Sequence, residues 1–470
     1  MQIIKFGTDG WRGVIAREFT FANVAIVAQA TMDYIIREGF AEKGLVIGYD
    51  RRFLSPEFAE RTAEIAVGNG IRVFLTNEYT PTPAVSWAVH SKKAGAGVMI
   101  TASHNPPVYN GFKVKEGFGG SARPSTTKKI EDQVEKNIAD SRKILSTPFA
   151  EALQSGMIEM FDANGEYYAQ LEKYVDMNLI RKSGIPFVVD PMFGAGSGAF
   201  PKLIHGCREI HGECNPAFGG QAPEPTEEHL LELSETVRKE KYRAGLALDG
   251  DADRIGAVDE NGDFFSSHMI YTVIMRHLIE RKGLRGGVVK TVSTTRMINL
   301  LAEKYGLELY ETPIGFKHIC ELMLEHDILM GGEESGGLGV KGHIPERDGI
   351  LMGLLLLESI AMTGKGLRQQ LNETMDEIGY FYYRRLDLQI EQKAKELLVD
   401  HLKRGGIKEI AGAVIVATNF SDGFKFIFEG GAWLLIRPSG TEPILRLYSE
   451  AASLGEVERF LVAGRELAGV

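Results

Sequence analysis

Short apolar, β-branched runs alternate with stretches of helical periodicity through roughly the first 370 residues: LVIGYD at 45–50, a helical pattern at 56–69, IRVFLT at 71–76 and another helical pattern at 82–94. Such alternation predicts βαβ units and a mostly parallel sheet. Three times an apolar run breaks off into a polar, glycine-containing loop: GVMITASHNP (97–106), GLALDGDADR (245–254) and ILMGGEESGG (328–337). Each follows an earlier apolar run, respectively LVIGYD, PFVVDP (186–191) and GVVKTVS (287–293), and the separations Val46 to Ile100, Val188 to Leu248 and Val288 to Met330 are 54, 60 and 42 residues. Three related α/β units are therefore expected. Each presents one loop at the C-terminal end of a strand, where open α/β sheets bind ligands.

The segment Ser141 to Gly165 is polar and reads as a connection. After about Gly364 the pattern changes to alternating strands, YFYYRRLDLQI (380–390), AVIVAT (413–418), FKFIFE (424–429) and AWLLIR (432–437), with helical patterns at 391–403 and 454–468. A fourth, antiparallel α+β domain follows from this. The expected division is 1–150, 151–257, 258–370 and 371–470.

Of the 470 residues, 44% are hydrophobic and 25% charged, and the formal net charge is -10. A nucleic-acid surface would need a local basic patch that the chain does not display; an acidic whole with a locally cationic pocket suits an enzyme of small anions. No apolar run reaches the ~18–20 residues that span a bilayer, the strongest, Ile350 to Ile360, being interrupted by Glu358. Lys5 and Asp9 leave the N-terminus without the apolar stretch of a signal peptide. Cys207, Cys214 and Cys320 are an odd count without a CxxC pair, so neither a disulfide framework nor a zinc site is signalled, and a cytoplasmic location is expected.

Four loops carry candidate chemistry. In TASHNP (101–106) Ser103 sits among small and polar neighbours with Pro106 and Pro107 stopping any helix; taken alone this is equally a turn, and no GxSxG elbow is present. In DGDADR, Asp249, Asp251 and Asp253 alternate, so three carboxylates can converge on a hard cation such as Mg²⁺. An EF-hand fails because Arg254 occupies the position that needs glycine and a strand precedes the loop. GGEESGG (331–337) offers Glu333, Glu334 and Ser335 as acceptors for sugar hydroxyls, although a plain glycine-rich loop reads the same way. RPSGTEP (437–443) sets Arg437 beside Ser439, Gly440 and Thr441, which suits bidentate grip and a backbone nest for phosphate. Arg12, Lys113, Lys290 and Lys317 are supporting cations, each by itself as compatible with a surface charge.

These four loops, in this order and over essentially the whole chain, resemble the α-D-phosphohexomutase family, which contains phosphoglucomutase, phosphomannomutase and phosphoglucosamine mutase. The resemblance implies three similar α/β domains and an antiparallel fourth around a central cleft. It implies that Ser103 is the phosphorylated residue and that Asp249, Asp251 and Asp253, with a phosphoserine oxygen, surround one Mg²⁺. Arg254 would stabilise the transferring group, while Lys113 and Arg12 would serve proton transfer and charge stabilisation. His104 and Asn105 would shape the serine loop. Glu333 and Ser335 would hold the sugar's O3 and O4, with Lys290, Gly315 and Lys317 also contacting substrate. Arg437, Ser439, Gly440 and Thr441 would hold the phosphate that is not reacting.

The implied reaction interconverts hexose 1-phosphate and hexose 6-phosphate, with hexose 1,6-bisphosphate as intermediate and glucose 1,6-bisphosphate as activator. Partners would be small hexose phosphates, and the protein a monomer or small homo-oligomer. On the sugar, GEESGG lacks the SGH of glucosamine and mannose/glucose members, and with HIPERDG (343–349) and TPIGFK (312–317) it looks closer to glucose-handling enzymes. Mannose or glucosamine phosphate specificity is the alternative. Two rivals of other classes are an aspartyl phosphatase with Asp249 as nucleophile, against which Asp253 stands where such enzymes usually carry Thr or Val, and a non-catalytic sugar-phosphate sensor, against which the intact serine and aspartates argue.

Overall fold

The structure, a computed structural model, describes residues 4–7, 10–439 and 443–469; Gly440 and Thr441 of the expected phosphate loop lie outside them. Strands Leu45–Tyr49, Val73–Thr76 and Ala96–Ile100 pair in parallel, with Leu45–Tyr49 in the middle. Alternate side chains of these strands go to opposite faces. Ile47, Val98 and Ile100 pack against helices Phe21–Arg37 and Ser55–Gly68, whereas Val46 and Met99 meet Val85, Ala88 and Val89 of helix Thr82–Ser91. Burial on both faces is why the strands read as continuous apolar runs.

The same arrangement recurs twice. Phe187–Asp190 lies parallel to Ala244–Leu248, and Gly287–Thr291 lies parallel to Ile328–Gly332, so each upstream apolar run is the hydrogen-bonded neighbour of a loop-bearing strand. In all three units the loop-bearing strand is followed by an antiparallel partner: Tyr109–Glu116, Ile255–Val258 and Leu338–Val340. The loops TASHNP, DGDADR and EESGG are thus the turns between a parallel strand and its antiparallel neighbour. The sheets are mixed and mostly parallel near their centres, as expected.

One stretch departs from expectation. Within the segment read as a polar connection, Phe149–Gln154 is helical and Ile158–Phe161 joins the first sheet beside Val73–Thr76. It is an edge strand with Met160 exposed, so only Ile158 and Phe161 are buried and the apolar signal is weak.

The fourth sheet is antiparallel throughout, in the order 382–389, 444–451, 433–438, 424–428, 413–419, 409–410. Leu434 and Ile436 pack on helices Gln392–Arg404 and Leu454–Ala468; Trp433, Leu435 and Tyr448 turn the other way, towards Val292 and Ile314 of the third unit. The strongest apolar run of the sequence is helix Gly349–Thr363, buried nearly all round in the core shared by the second and third units. Its lone carboxylate, Glu358, meets His277 at 2.8 Å and Lys282 at 2.9 Å. Among the described residues no single helix is long and apolar enough to cross a membrane.

Candidate active site

Ser103 follows strand Ala96–Ile100 in the left-handed region, φ 53°, a strained setting for a residue other than glycine. Three contacts hold it there. Its N–H donates to Thr101 Oγ1 at 2.9 Å, its carbonyl accepts from Arg52 at 2.5 Å, and its Oγ donates to Asp249 Oδ2 at 2.7 Å. Arg52, fully buried, also donates to the carbonyls of Asn105, Pro106 and Tyr109 and pairs with Asp50. One guanidinium therefore gathers four carbonyls of the serine loop, matching its five fixed donors to them.

Asp249, Asp251 and Asp253 are wholly buried, and one oxygen of each lies within 4.8 Å of the others. Burial pushes the Asp249 carboxyl well above its ordinary range, and the neighbouring carboxylates of Asp251 and Asp253 add to this. For Asp251 burial acts in the same sense, but Lys113 Nζ at 2.8 Å and the Thr82 hydroxyl at 2.5 Å outweigh it and hold the group below its ordinary range. Asp251 Oδ1 and Asp253 Oδ1 are buried without a hydrogen-bond partner among the described residues. Crowded carboxylates with unspent lone pairs are what an oxygen-seeking divalent cation requires, so the donor set fits Mg²⁺.

Four cations stand around the site. Lys113 Nζ also reaches Asp253 at 3.1 Å, and Arg347 donates to the same carboxylate at 2.7 Å. Arg12 donates to Asn105 Oδ1 at 2.5 Å, and Arg254 lies 3.3 Å from Glu224. Gly10, φ 131°, lets the segment carrying Arg12 pass over Lys113; a Cβ there would stand 2.3 Å from the Phe112 carbonyl. His104 Nδ1 is 3.3 Å from Ser103 Oγ, and its pKa is driven well below the ordinary value by burial and by Arg254, Arg12, Lys113 and Arg52.

Beside these groups opens a cleft of about 1110 Å³, bordered by Arg12, His104, Arg254, Glu333, Ser335 and Arg437. The EESGG turn is tied to the aspartate loop: Ile255 N–H donates to the Gly336 carbonyl at 3.1 Å, and a Cβ on Gly336, φ 91°, would stand 2.5 Å from the Ile255 carbonyl. Gly337 has a similar need. A Cβ there would lie 2.3 Å from Arg347 Cδ, so Arg347 occupies the space that a larger residue at 337 would fill. Glu333 accepts from the Gly315 N–H at 2.9 Å, and burial raises its pKa to about 7 against the opposing pull of Arg347. Arg437 donates to Asp422 at 2.9 Å, and the Ser439 N–H closes the end of its hairpin on Ile444.

Two expected substrate contacts sit elsewhere. Lys290 is buried, donates to the carbonyls of Thr294 and Thr295 and lies 3.4 Å from Glu311; burial and nearby Lys425 lower its pKa to about 8. Lys317 is half-buried on helix Phe316–Glu325 and does not border the cleft, whereas Gly315 does. Sequence reasoning missed Arg52, Thr82, Arg347 and Asp422. The first has a readable signal, since Asp50 and Arg52 close a buried apolar strand at its C-terminal end, the same place in the fold as the other loops.

Four family descriptions match successive parts of the chain: phosphoglucomutase/phosphomannomutase alpha/beta/alpha domain I at 4–141, domain II at 165–262, domain III at 266–378 and the C-terminal domain at 391–467. A phosphoglucomutase/phosphomannomutase of Thermococcus kodakarensis is 30% identical, with 98% of each chain covered. A phosphoglucosamine mutase of Carboxydothermus hydrogenoformans is also 30% identical, with 95% of each covered. A crystal structure from Thermus thermophilus, assigned as a phosphomannomutase, superposes with a TM-score of 0.86 at 35% identity over the whole of both chains. With its three α/β units, its antiparallel fourth and these relatives along its full length, the chain belongs to the phosphoglucomutase/phosphomannomutase family, the α-D-phosphohexomutases, and is an enzyme of the isomerase, intramolecular phosphotransferase type.

Proposed function

We propose that the enzyme interconverts glucose 1-phosphate and glucose 6-phosphate through phosphorylated Ser103 and glucose 1,6-bisphosphate, and accepts mannose phosphate as well. The observation that carries this reading is the 2.7 Å contact of Ser103 Oγ with Asp249, both buried; His104, next to the serine, and Arg254, in the aspartate loop, border the same cleft as Glu333 and Arg437. A phosphoryl donor beside one cavity that also carries a sugar acceptor pair and a second anion grip is what a mutase needs and a phosphatase does not.

In the forward leg the bond between phosphorus and Ser103 Oγ breaks as one forms to O6 of the 1-phosphate, and the O6 proton ends on Ser103 Oγ, which leaves as the hydroxyl. In the return leg the bond between phosphorus and O1 breaks as one forms to Ser103 Oγ, and the serine proton ends on O1; His104 Nδ1, 3.3 Å from Ser103 Oγ, lies within reach of that proton. Such transfer depends mainly on alignment and charge neutralisation. Asp249, Asp251, Asp253 and a phosphoserine oxygen would hold Mg²⁺, which when bound offsets the negative charge on the moving group. Lys113, Arg12 and Arg254 supply fixed positive charge around the same point. Glu333 and Ser335 accept the O3 and O4 hydroxyls, while Arg437, Ser439, Gly440 and Thr441 hold the idle phosphate.

Glucose and mannose differ at C2, which O3 and O4 contacts do not read, so both fit; the preference for glucose over glucosamine, also a C2 difference, rests on the GEESGG, HIPERDG and TPIGFK segments. The test compares glucose, mannose and glucosamine 1-phosphates with catalytic glucose 1,6-bisphosphate. Formation of 6-phosphates in the order glucose, mannose, glucosamine is expected; glucosamine leading, or inorganic phosphate as main product, refutes the reading.

A further inference from the structure

Asp422 lies in the turn between strands Ala413–Asn419 and Phe424–Phe428 of the fourth domain, outside every loop so far given a role. Its two oxygens have different partners. Oδ1 accepts from Arg437 Nε at 2.9 Å, and Oδ2 accepts from the backbone N–H of Ile314, in the third unit, at 2.9 Å. The next N–H along, that of Gly315, donates to Glu333 Oε1 at 2.9 Å. Glu333 Oε2 in turn lies 3.7 Å from Arg347, which grips Asp253.

We infer that Asp422 is a positioning residue that ties the phosphate-gripping Arg437 to the backbone segment holding the sugar-reading Glu333. This rests on the roles proposed above for Arg437 and Glu333. The geometry restricts the choice of mechanism. Arginine offers five N–H donors, and Asp422 takes only the one on Nε, so the terminal amino groups stay available for a phosphate while the guanidinium plane is fixed. The Ile314–Gly315 segment has no comparable freedom: Gly315 adopts φ 129°, a region few other residues enter, and it delivers successive N–H groups to carboxylates on opposite sides, Asp422 and Glu333. The turn itself is pressed against the arginine. A Cβ on Gly423, φ 92°, would stand 2.9 Å from the Ile436 carbonyl and 3.1 Å from Arg437 Cβ. Holding the idle phosphate and placing the O3/O4 acceptor are therefore coupled through one carboxylate.

A carboxylate serving only as counter-ion to Arg437 would affect phosphate affinity alone. A positioning carboxylate also affects which sugar is read. The experiment measures kcat and KM of Asp422→Asn and Asp422→Ala on glucose 1-phosphate and on its C4 epimer, galactose 1-phosphate, with Arg437→Ala alongside and thermal melts of all three. Asparagine keeps the shape but presents an N–H where one of the two donors must bond. The expected result for both Asp422 variants, at an unchanged melting temperature, is a rise in the glucose 1-phosphate KM of about tenfold and a fall of about tenfold in the glucose-over-galactose ratio of kcat/KM, each the loss of one charge-assisted hydrogen bond. A raised KM with an unaltered epimer ratio in Asp422→Asn overturns the inference, as does an unaltered KM. If Arg437→Ala itself leaves KM unchanged, the phosphate-grip reading fails; if it raises KM while Asp422→Asn does not, only the coupling fails.

Discussion

Ser103 Oγ and Asp249 Oδ2 are 2.7 Å apart although 146 residues separate them, and each comes from the C-terminal end of a strand in a different sheet. The contact depends on Gly250, where a Cβ would stand 2.5 Å from the Ser103 carbonyl. Gly250→Ala should therefore push the serine loop away from the aspartates. Since a misplacement of about 1 Å costs on the order of 10²-fold in rate, kcat should fall by about that factor; a kcat within about threefold of the parent would show that the close approach is dispensable.

The unpartnered oxygens of Asp251 and Asp253 leave lone pairs with which the folded state could hold a divalent cation. Mg²⁺ should raise the melting temperature in a concentration-dependent way, through its preference for the folded form. Asp251→Asn should abolish most of that rise, and excess chelator should stop turnover until Mg²⁺ is restored. A melting curve indifferent to Mg²⁺ would speak against the site.

Arg52 and Asp50 form an ion pair with neither side chain exposed to solvent. Removing one member strands the other, a loss of about 3–5 kcal/mol. Arg52→Met should show that loss in urea unfolding, because Asp50 would be left with only the hydroxyls of Thr101 and Ser55 and one backbone N–H. A loss under about 1 kcal/mol would mean that the serine loop holds itself.

His211 bonds Asp190 at 3.0 Å and lies 3.3 Å from Glu232, and the hydrogen bond to Asp190, against a smaller effect of burial, raises its pKa to about 9. The folded form thus holds its proton more tightly than an unfolded chain, whose histidine titrates near ~6.5. The stabilisation is complete below that lower value and is lost as pH rises through about 9. Melting temperatures of the parent and His211→Gln should differ most near pH ~6 and converge by about pH 10. A gap independent of pH would locate the effect in packing instead.

Much of this was legible in the sequence because strand ends announce themselves. Runs such as AGLAL stop where the backbone leaves a doubly buried sheet, so the residues just beyond, Asp249 to Arg254, stand out. Arg52 and Asp50 end such a run too, so their position is readable, although a short polar pair names no role for itself. Arg347 and Asp422 were less legible still. Their roles depend on partners 94 and 108 residues away, Asp253 and Ile314, and only the docking of units reveals such pairs. Lys290 shows the limit of reading single cations: a lysine carries no mark of its partners, and here its ammonium meets the carbonyls of Thr294 and Thr295 and lies near Glu311.

The site of the covalent phosphate can be located directly. The protein would be incubated with Mg²⁺ and glucose 1,6-bisphosphate, the phosphate mapped by peptide mass spectrometry, and glucose 1-phosphate then added while glucose 6-phosphate is followed. Phosphate on Ser103 that disappears as product forms, with neither event in Ser103→Ala, is the expected result. Phosphate carried on Asp249, or mutase turnover persisting in Ser103→Ala, would contradict the assignment of the serine as the group that carries phosphate between O1 and O6.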